Sequence, residues 1–387
     1  MKVPLLDLKK QFEGIKDEIM AATEEVYQSQ QFILGPKVAE LEDNVATYCK
    51  GKYAVGVSSG TDALLISLMA AGVGIGDVVV TTPYTFFATV GAIVRVGAQP
   101  LFVDIDSKTY NMDPGKLEDA LSALGEQERS RVKAVIPIHL YGQCADMEPI
   151  LKIAEHYGLA VVEDAAQAIG AEYQFQDGRV KKAGAMGSYG CFSFYPTKNL
   201  GAAGEGGMVV TQDETTYNHL KILRNHGDIK RYEHGFVGGN FRLHAIQAAV
   251  LIIKLKYLDE WTNQRIANAN SYRNAFKEAG LDNILLPVEK EKRHVYHQFV
   301  LRVEKGRDRL KAFLNENDIG CEVYYPVPLH MQACFRHMNY APEDFPESKK
   351  AALETLALPI YPELGNEEIY YVVDNIKKFM KIEKKEG

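Results

Sequence analysis

One tryptophan in 387 residues, and five cysteines without a C-x-x-C pair, are what this chain has least of. Cys49, Cys144, Cys191, Cys321 and Cys334 are scattered. That removes a disulfide framework and a zinc site of the usual spacing, and it fits a reducing cytoplasm. No apolar run approaches the roughly 18 residues of a membrane span. Residues 1–30 are charged and amphipathic, without the apolar centre of a secretion signal. Neither signal peptide, membrane span nor membrane partner is expected. A basic surplus is lacking too: the net charge of −7 argues against a nucleic-acid binder working through a broad basic surface. The one basic cluster, Lys377 to Lys385, is mixed with Glu383 and Glu386 and reads as a solvated helix end. A dinucleotide fingerprint is missing as well. Gly72-Val73-Gly74-Ile75-Gly76 follows a helical pattern, Gly201 to Gly207 precedes a strand, and Gly238-Gly239 has no strand leading into it. A nicotinamide site needs strand, glycine turn and helix in that order. Internal repeats and low-complexity segments are also absent.

What is there is an ordinary soluble composition, 46% hydrophobic and 25% charged, on a chain long enough for two domains. From Tyr53 to Thr211 short apolar runs alternate with helical patterns. Val55-Gly56-Val57, Val78-Val79-Val80, Leu101-Phe102-Val103, Ala134 to Ile138 and Ala160-Val161-Val162 read as strands. Helices are predicted over Ala63–Ala71, Phe87–Val96, Pro114–Leu124 and Asp146–His156, with Gly72 and Gly97 as stops and Asp113 as an N-cap. Continuous apolar strands alternating with helices predict an α/β domain with a largely parallel sheet covered on both faces. After the strand Gly207–Thr211 the pattern changes. A long helix is predicted over Ala245–Ala279, then strands at Val295–Val303 and Cys321–Tyr325, and helices at Arg309–Asn317 and Glu367–Lys381. The expected division is a large α/β domain, 1–250, and a small carboxyl-terminal α+β domain, 251–387.

Two stretches carry the chemistry. Lys198 lies in Phe192-Ser193-Phe194-Tyr195-Pro196-Thr197-Lys198-Asn199-Leu200-Gly201, and Asp164 ends the apolar run Leu159 to Val162 in Glu163-Asp164-Ala165-Ala166-Gln167. A lysine and an aspartate so placed are exposed to desolvation. Pyridoxal 5'-phosphate needs such a pair: an amine for the Schiff base, and a carboxylate to hold the ring nitrogen protonated. Ser58-Ser59-Gly60-Thr61-Asp62 follows a strand and opens a helix, which makes an anion site in which Gly60 lets the backbone approach a phosphate and Thr61 adds a hydroxyl. Simple N-capping by serine is the alternative for this stretch alone. Ser193 can add a hydroxyl to the phosphate, Gln167 can reach a ring oxygen, and an aromatic in Thr85-Phe86-Phe87 can stack on a planar cofactor.

With Phe32-Ile33-Leu34-Gly35-Pro36, His139-Leu140-Tyr141-Gly142, Gly239-Asn240-Phe241-Arg242-Leu243 and Tyr325-Pro326-Val327-Pro328-Leu329-His330, these motifs run in unbroken order over nearly the whole chain. The chain resembles the nucleotide-sugar aminotransferases of the DegT/StrS type. The resemblance implies fold type I of the pyridoxal phosphate enzymes, with a mostly parallel seven-stranded sheet, a small carboxyl-terminal domain and a homodimer with shared active sites. It implies that Lys198 holds the cofactor and moves protons, that Asp164 pairs with the pyridine nitrogen, and that Gln167 faces the ring oxygen. By the same resemblance Gly60, Thr61 and Ser193 would bind the phosphate, Asn240 would reach the phosphate of the other subunit, and Phe86 would stack on the ring. Arg231, Tyr325 and His330 are candidates for donor carboxylates or substrate pyrophosphate. Glu205 and His244 depart from the aspartates usual at their positions, which bears on substrate contacts or capping.

The implied reaction moves an amino group from L-glutamate to a nucleotide-diphosphate keto-sugar, for polysaccharide or glycoconjugate biosynthesis in the cytoplasm. His139 to Met147 look more like members acting on 3-keto than on 4-keto sugars. A dehydratase is disfavoured because those relatives replace the lysine with histidine. A desulfurase or lyase is a rival, though a desulfurase needs a reactive cysteine on a mobile loop and none of the five stands out. A non-catalytic regulatory relative is the other rival, and an intact Lys198 and Asp164 weigh against it.

Overall fold

The structure is a computed structural model that describes residues 1–386, with side chains to residue 383. Strands form where apolar and β-branched residues run between turns: β1 (Tyr53–Val57), β2 (Val78–Thr81), β3 (Gln99–Phe102), β4 (Val132–Val135) and β5 (Ala160–Asp164). A hairpin of β6 (Glu172–Gln174) and β7 (Val180–Lys182) precedes β8 (Tyr189–Ser193) and β9 (Gly207–Thr211). An outlying hairpin, β10 (Asp228–Lys230) and β11 (Glu233–His234), and the pair β12 (Phe299–Arg302) and β13 (Thr355–Leu358) follow. The helices are α1 (Leu8–Ser29), α2 (Pro36–Cys49), α3 (Gly60–Ala70), α4 (Phe87–Arg95), α5 (Pro114–Ser122), α6 (Glu126–Arg129) and α7 (Met147–Tyr157). Then come α8 (Glu214–Arg224), α9 (Ala245–Ala279), α10 (Arg307–Glu316), α11 (Pro346–Glu354) and α12 (Asn366–Glu386). The basic tail forms the end of α12, and the side chains of residues 384–387 lie outside the described residues.

Seven strands make one sheet in the order β1-β9-β8-β5-β4-β2-β3. β9 is antiparallel to both neighbours, and the pairs β8–β5, β5–β4, β4–β2 and β2–β3 are parallel. Side chains alternate between faces along each strand. On β5, Val161 joins the core beneath α2 and α9, while Val162 joins the one beneath α3, α4 and α8. The same period sends Glu163 to the first face and Asp164 to the second. Both faces are covered, which is why these strands read as unbroken apolar runs.

A further core gathers Tyr272, Phe276, Phe299, Leu310, Leu356 and Val372, and Val3 from the amino terminus packs into it. α9 reaches both cores, through Leu251 and Leu258 at one end and Ala269 and Tyr272 at the other. Residue 250 falls in the first turns of this helix, so a single rod ties the two cores together. His244 is its N-cap and makes no side-chain capping bond. His244→Asp should therefore stabilise the protein by about 0.5–1 kcal/mol, read as a higher midpoint in urea.

Two sequence readings need correction. The strand expected over Val295–Val303 begins only at Phe299, because Tyr296 sits at φ 45° and turns His297 and Gln298 aside. That conformation is costly for a bulky residue. It is held by stacking on His294, with ring centroids 4.0 Å apart, and by the Tyr296 hydroxyl accepting from Arg273 Nη2 at 2.8 Å. Cys321–Tyr325 is not a strand either. It touches β13 only at Glu322, opposite Ala357, before Pro326 and Pro328 remove the donors a ladder needs.

Candidate active site

The carboxyl ends of β1, β2, β5 and β8 meet at one edge of the sheet and wall a pocket of about 630 Å3. At its base α3 begins. The Ser59 hydroxyl accepts from Asp62 N–H at 3.1 Å, and both Ser58 and Ser59 donate to the Asp62 carboxylate, at 2.6 and 3.0 Å. This fixes the entry turn and leaves the Gly60 and Thr61 amides, first in the helix, without carbonyls beneath them. A Cβ on residue 60 would lie 2.6 Å from Ser193 Cβ. Only glycine lets the α3 turn and the end of β8 close into one cradle, and such a cradle is an anion site.

Asp164 is 6% exposed. It accepts from the Thr89 hydroxyl at 2.8 Å and from Ala166 N–H at 3.2 Å. Burial raises its pKa despite these donors. Thr89 spends its one proton on this carboxylate, so Thr85, 3.2 Å away, donates to Thr89. Lys198 is half-buried and lines the same pocket. Burial pushes its pKa down to about 8, with the Asp164 charge working the other way. Its loop folds back so tightly that a Cβ on Gly201 would meet the Pro196 carbonyl oxygen at 2.2 Å.

Gln167 is oriented by two contacts: its Oε1 accepts from Tyr141 N–H at 2.8 Å, and its Nε2 donates to the Tyr325 hydroxyl at 3.0 Å. The Tyr325 proton is thereby left to donate into the pocket. Phe86 is 56% exposed at the mouth, its ring 6.0 Å from that of Tyr325. Gly60, Thr61, Phe86, Asp164, Gln167, Ser193, Lys198, Tyr325 and also Glu205 thus share one cavity. The remaining candidates stand apart. Asn240 is exposed, bridged to Asn225, and Arg231 is exposed on the β10–β11 hairpin. His330 is buried, its ring 4.8 Å from Phe345, and does not line the pocket.

Beneath β5, Glu163 accepts from the backbone N–H groups of Gly184, Met186 and Gly187 at 2.6 to 2.8 Å. Its fourth donor is His139 Nε2, at 2.8 Å. Because Ala145 N–H donates to His139 Nδ1, the histidine proton sits on Nε2. In the same motif Gly142 lets the backbone of the 295–297 segment approach, since a Cβ there would lie 2.9 Å from His297 N.

The sequence reading missed Thr89, His297 and Gln298. A threonine in the apolar stretch of α4, one helical turn after Thr85, was the available signal for the first. Thr89→Val, equal in shape and lacking the donor, should lower turnover about tenfold. It should also shift the acid side of the activity profile to higher pH, since the Asp164 pKa then rises further.

Residues 13–377 match the DegT/DnrJ/EryC1/StrS aminotransferase family. The chain belongs to that family. Among its relatives, the Geobacillus stearothermophilus pleiotropic regulatory protein is 47% identical over 98% of this chain and 99% of its own length. The UDP-N-acetyl-3-dehydro-alpha-D-glucosamine 3-aminotransferase of Acidithiobacillus ferrooxidans is 39% identical, over 97% of each. Among solved structures, DesV of S. venezuelae, in complex with a ketimine intermediate, superposes with a TM-score of 0.91 at 38% identity and covers 98% of both chains.

The aminotransferase has the fold of pyridoxal phosphate enzymes of type I, and its pocket suits that cofactor. The glycine-lined cradle at Gly60 would hold the phosphate, the buried Asp164 carboxylate, hydrogen-bonded by neutral donors, would face a protonated ring nitrogen, and Lys198 would supply the amine.

Proposed function

We propose that this aminotransferase moves the amino group of L-glutamate to a nucleotide-diphosphate keto-sugar, at C3 rather than C4, within cytoplasmic synthesis of polysaccharide or glycoconjugate. The observation that carries the reading is the convergence of Lys198 and Asp164 on one pocket of about 630 Å3, a volume in the range that holds sizeable ligands. Bound pyridoxal phosphate supplies an electron sink. The chain supplies the rest. Lys198, with its pKa near 8, takes a proton from the donor Cα and returns one to the acceptor carbon, as a general base and acid working near neutrality. Asp164 keeps a cation paired, Gln167 and Tyr325 offer donors, and Tyr324 and Ile138 complete the pocket wall. The C3 assignment is supported by the His139–Met147 motif and by the 3-aminotransferase activity named for the A. ferrooxidans relative. The regulatory name of another relative fits less well, because a protein that only binds has no need of Lys198 and Asp164 together.

The test is a panel of 3-keto and 4-keto nucleotide sugars, each generated in place, with products identified by mass and NMR. Turnover of free amino and keto acids alone defeats the acceptor reading. The protein should also be yellow and bleach on adding glutamate.

We infer a homodimer with shared sites. The exposed Asn240 lies outside the pocket of its own chain, and family resemblance sends it to the partner's phosphate cradle. Mixing inactive Lys198→Ala protein with inactive Asn240→Ala protein should restore activity, because one site of each hybrid is intact. Normal turnover by Asn240→Ala alone removes the premise.

A further inference from the structure

A smaller chamber of about 120 Å3 adjoins the main pocket. The two share Thr197, His297, Gln298 and Tyr324 as walls. Leu5 and Leu6 close the far side. They are held by the parallel bridge between Val3 and Ile319, in which Val3 N–H donates to Asp318 O at 2.9 Å and Gly320 N–H to Val3 O at 2.8 Å. Arg265, from the middle of α9, reaches the chamber as its only cation.

Arg265 is 4% exposed. One nitrogen, Nη1, donates to both the Tyr296 and Ile360 carbonyls, at 3.2 and 2.7 Å. Among the described residues Nε and Nη2 have no hydrogen-bond partner, and the one anion acting on the guanidinium is the Glu363 carboxylate, which works against burial from beyond hydrogen-bonding distance. A buried cation with donors to spare is costly unless something pairs with it. Holding two carbonyls accounts for Nη1, and Glu363 offsets part of the charge, which leaves the Nε and Nη2 donors without an acceptor.

The chamber is too small for a nucleoside or a sugar diphosphate, and a carboxylate on a short chain fits it. The planar guanidinium matches a carboxylate with two parallel N–H donors. The chamber also lies on the Lys198 side of the site: His297, on the shared wall, is within electrostatic reach of both Lys198 and Arg265. We propose that Arg265 anchors a carboxylate of the amino donor, with the donor's amino end at Lys198. This rests on the reading of the donor as an amino acid.

The test compares wild-type holoenzyme with Arg265→Gln and Arg265→Lys. For Arg265→Gln the KM for glutamate should rise about 10- to 100-fold, with acceptor KM and cofactor absorbance unchanged, and Arg265→Lys should recover part of the loss. Calorimetric binding of glutarate should weaken by a similar factor in Arg265→Gln, while uncharged glutaramide binds both proteins alike. L-Alanine as a slow donor separates the two carboxylates. A loss with glutamate alone places the side-chain carboxylate at Arg265, and an equal loss with both donors places the α-carboxylate there. Unchanged glutarate binding overturns the proposal. So does a rise of donor and acceptor KM together with a lowered melting temperature, which marks Arg265 as structural. If wild type accepts no nucleotide keto-sugar and the glutarate difference persists, the acceptor reading fails and the carboxylate anchor stands.

Discussion

Lys198→Ala is expected to eliminate the absorbance of covalently held cofactor and to lower transamination by about four orders of magnitude, while the protein remains folded. A positioned general acid–base group contributes about 10²- to 10⁴-fold, and in the proposed role this amine is also the covalent attachment, so the upper end applies. Folding should survive because the ammonium is a burden on the native state. Burial moves its pKa from 10.5 down to about 8, so the folded cofactor-free protein binds its proton less well than the unfolded chain does. The penalty is fully present below pH 8, where both states are charged, and is lost as pH rises to about 10.5, where both are neutral. It amounts to at most about 3.5 kcal/mol at 1.36 kcal/mol per unit. Cofactor-free Lys198→Ala should therefore equal or exceed wild type in melting temperature at neutral pH, and the gap should close above pH 10. The measurements are absorbance, turnover and thermal unfolding against pH. Transamination at the wild-type rate would exclude Lys198 as the cofactor lysine.

What could be seen in the sequence follows from how local each signal is. Strand–turn–helix at Ser58–Asp62, the acid ending an apolar strand at Asp164 and the glycine-rich exit after Lys198 are each written in a few consecutive residues. Their convergence then follows from a parallel sheet with carboxyl ends at one edge. Gly207–Thr211 and Ala245–Ala279 have the bounds read from pattern alone, since an apolar strand and a helix stopped by Gly280 need no distant context. The misreadings lie where tertiary contacts decide. Residues 295–298 have strand composition, but the close approach to Gly142 and the packing of Tyr296 turn them into a pocket wall. His297, Gln298 and Arg265 carry no motif. Their roles appear only when α9 and the segment before β12 are set against the Lys198 loop. His330 shows the reverse: its motif places it near Tyr325 in sequence, yet its ring packs against Phe345 and does not line the pocket of its own chain.

Asp164→Asn is expected to keep the fold and the cofactor cradle and to lower turnover about 10²- to 10⁴-fold. Asparagine has the same shape, and its oxygen can still accept from Ala166 N–H, so Gly60, Ser193 and Lys198 should stay in place. What is lost is the charge. Asp164 takes its hydrogen bonds from neutral donors, Thr89 and the Ala166 amide, with Lys198 within electrostatic reach, and in the proposed role it would pair directly with the protonated ring nitrogen of the cofactor. Removing one partner of a buried, hydrogen-bonded ion pair costs about 3–5 kcal/mol. Charged to the reaction barrier at 1.36 kcal/mol per tenfold, that gives the stated range. The pH dependence supplies an independent readout. Burial raises the Asp164 pKa above the ordinary carboxylate value, so in wild type the anion is present above that pKa and lost as pH falls through it. Cofactor affinity should fall on acidification in wild type and stay flat over the same range in Asp164→Asn. Spectroscopic titration of cofactor against pH, beside single-turnover rates for the donor half-reaction, measures both. Wild-type rates in the variant, or an acid limb that survives the substitution, would show that the ring nitrogen does not depend on this carboxylate.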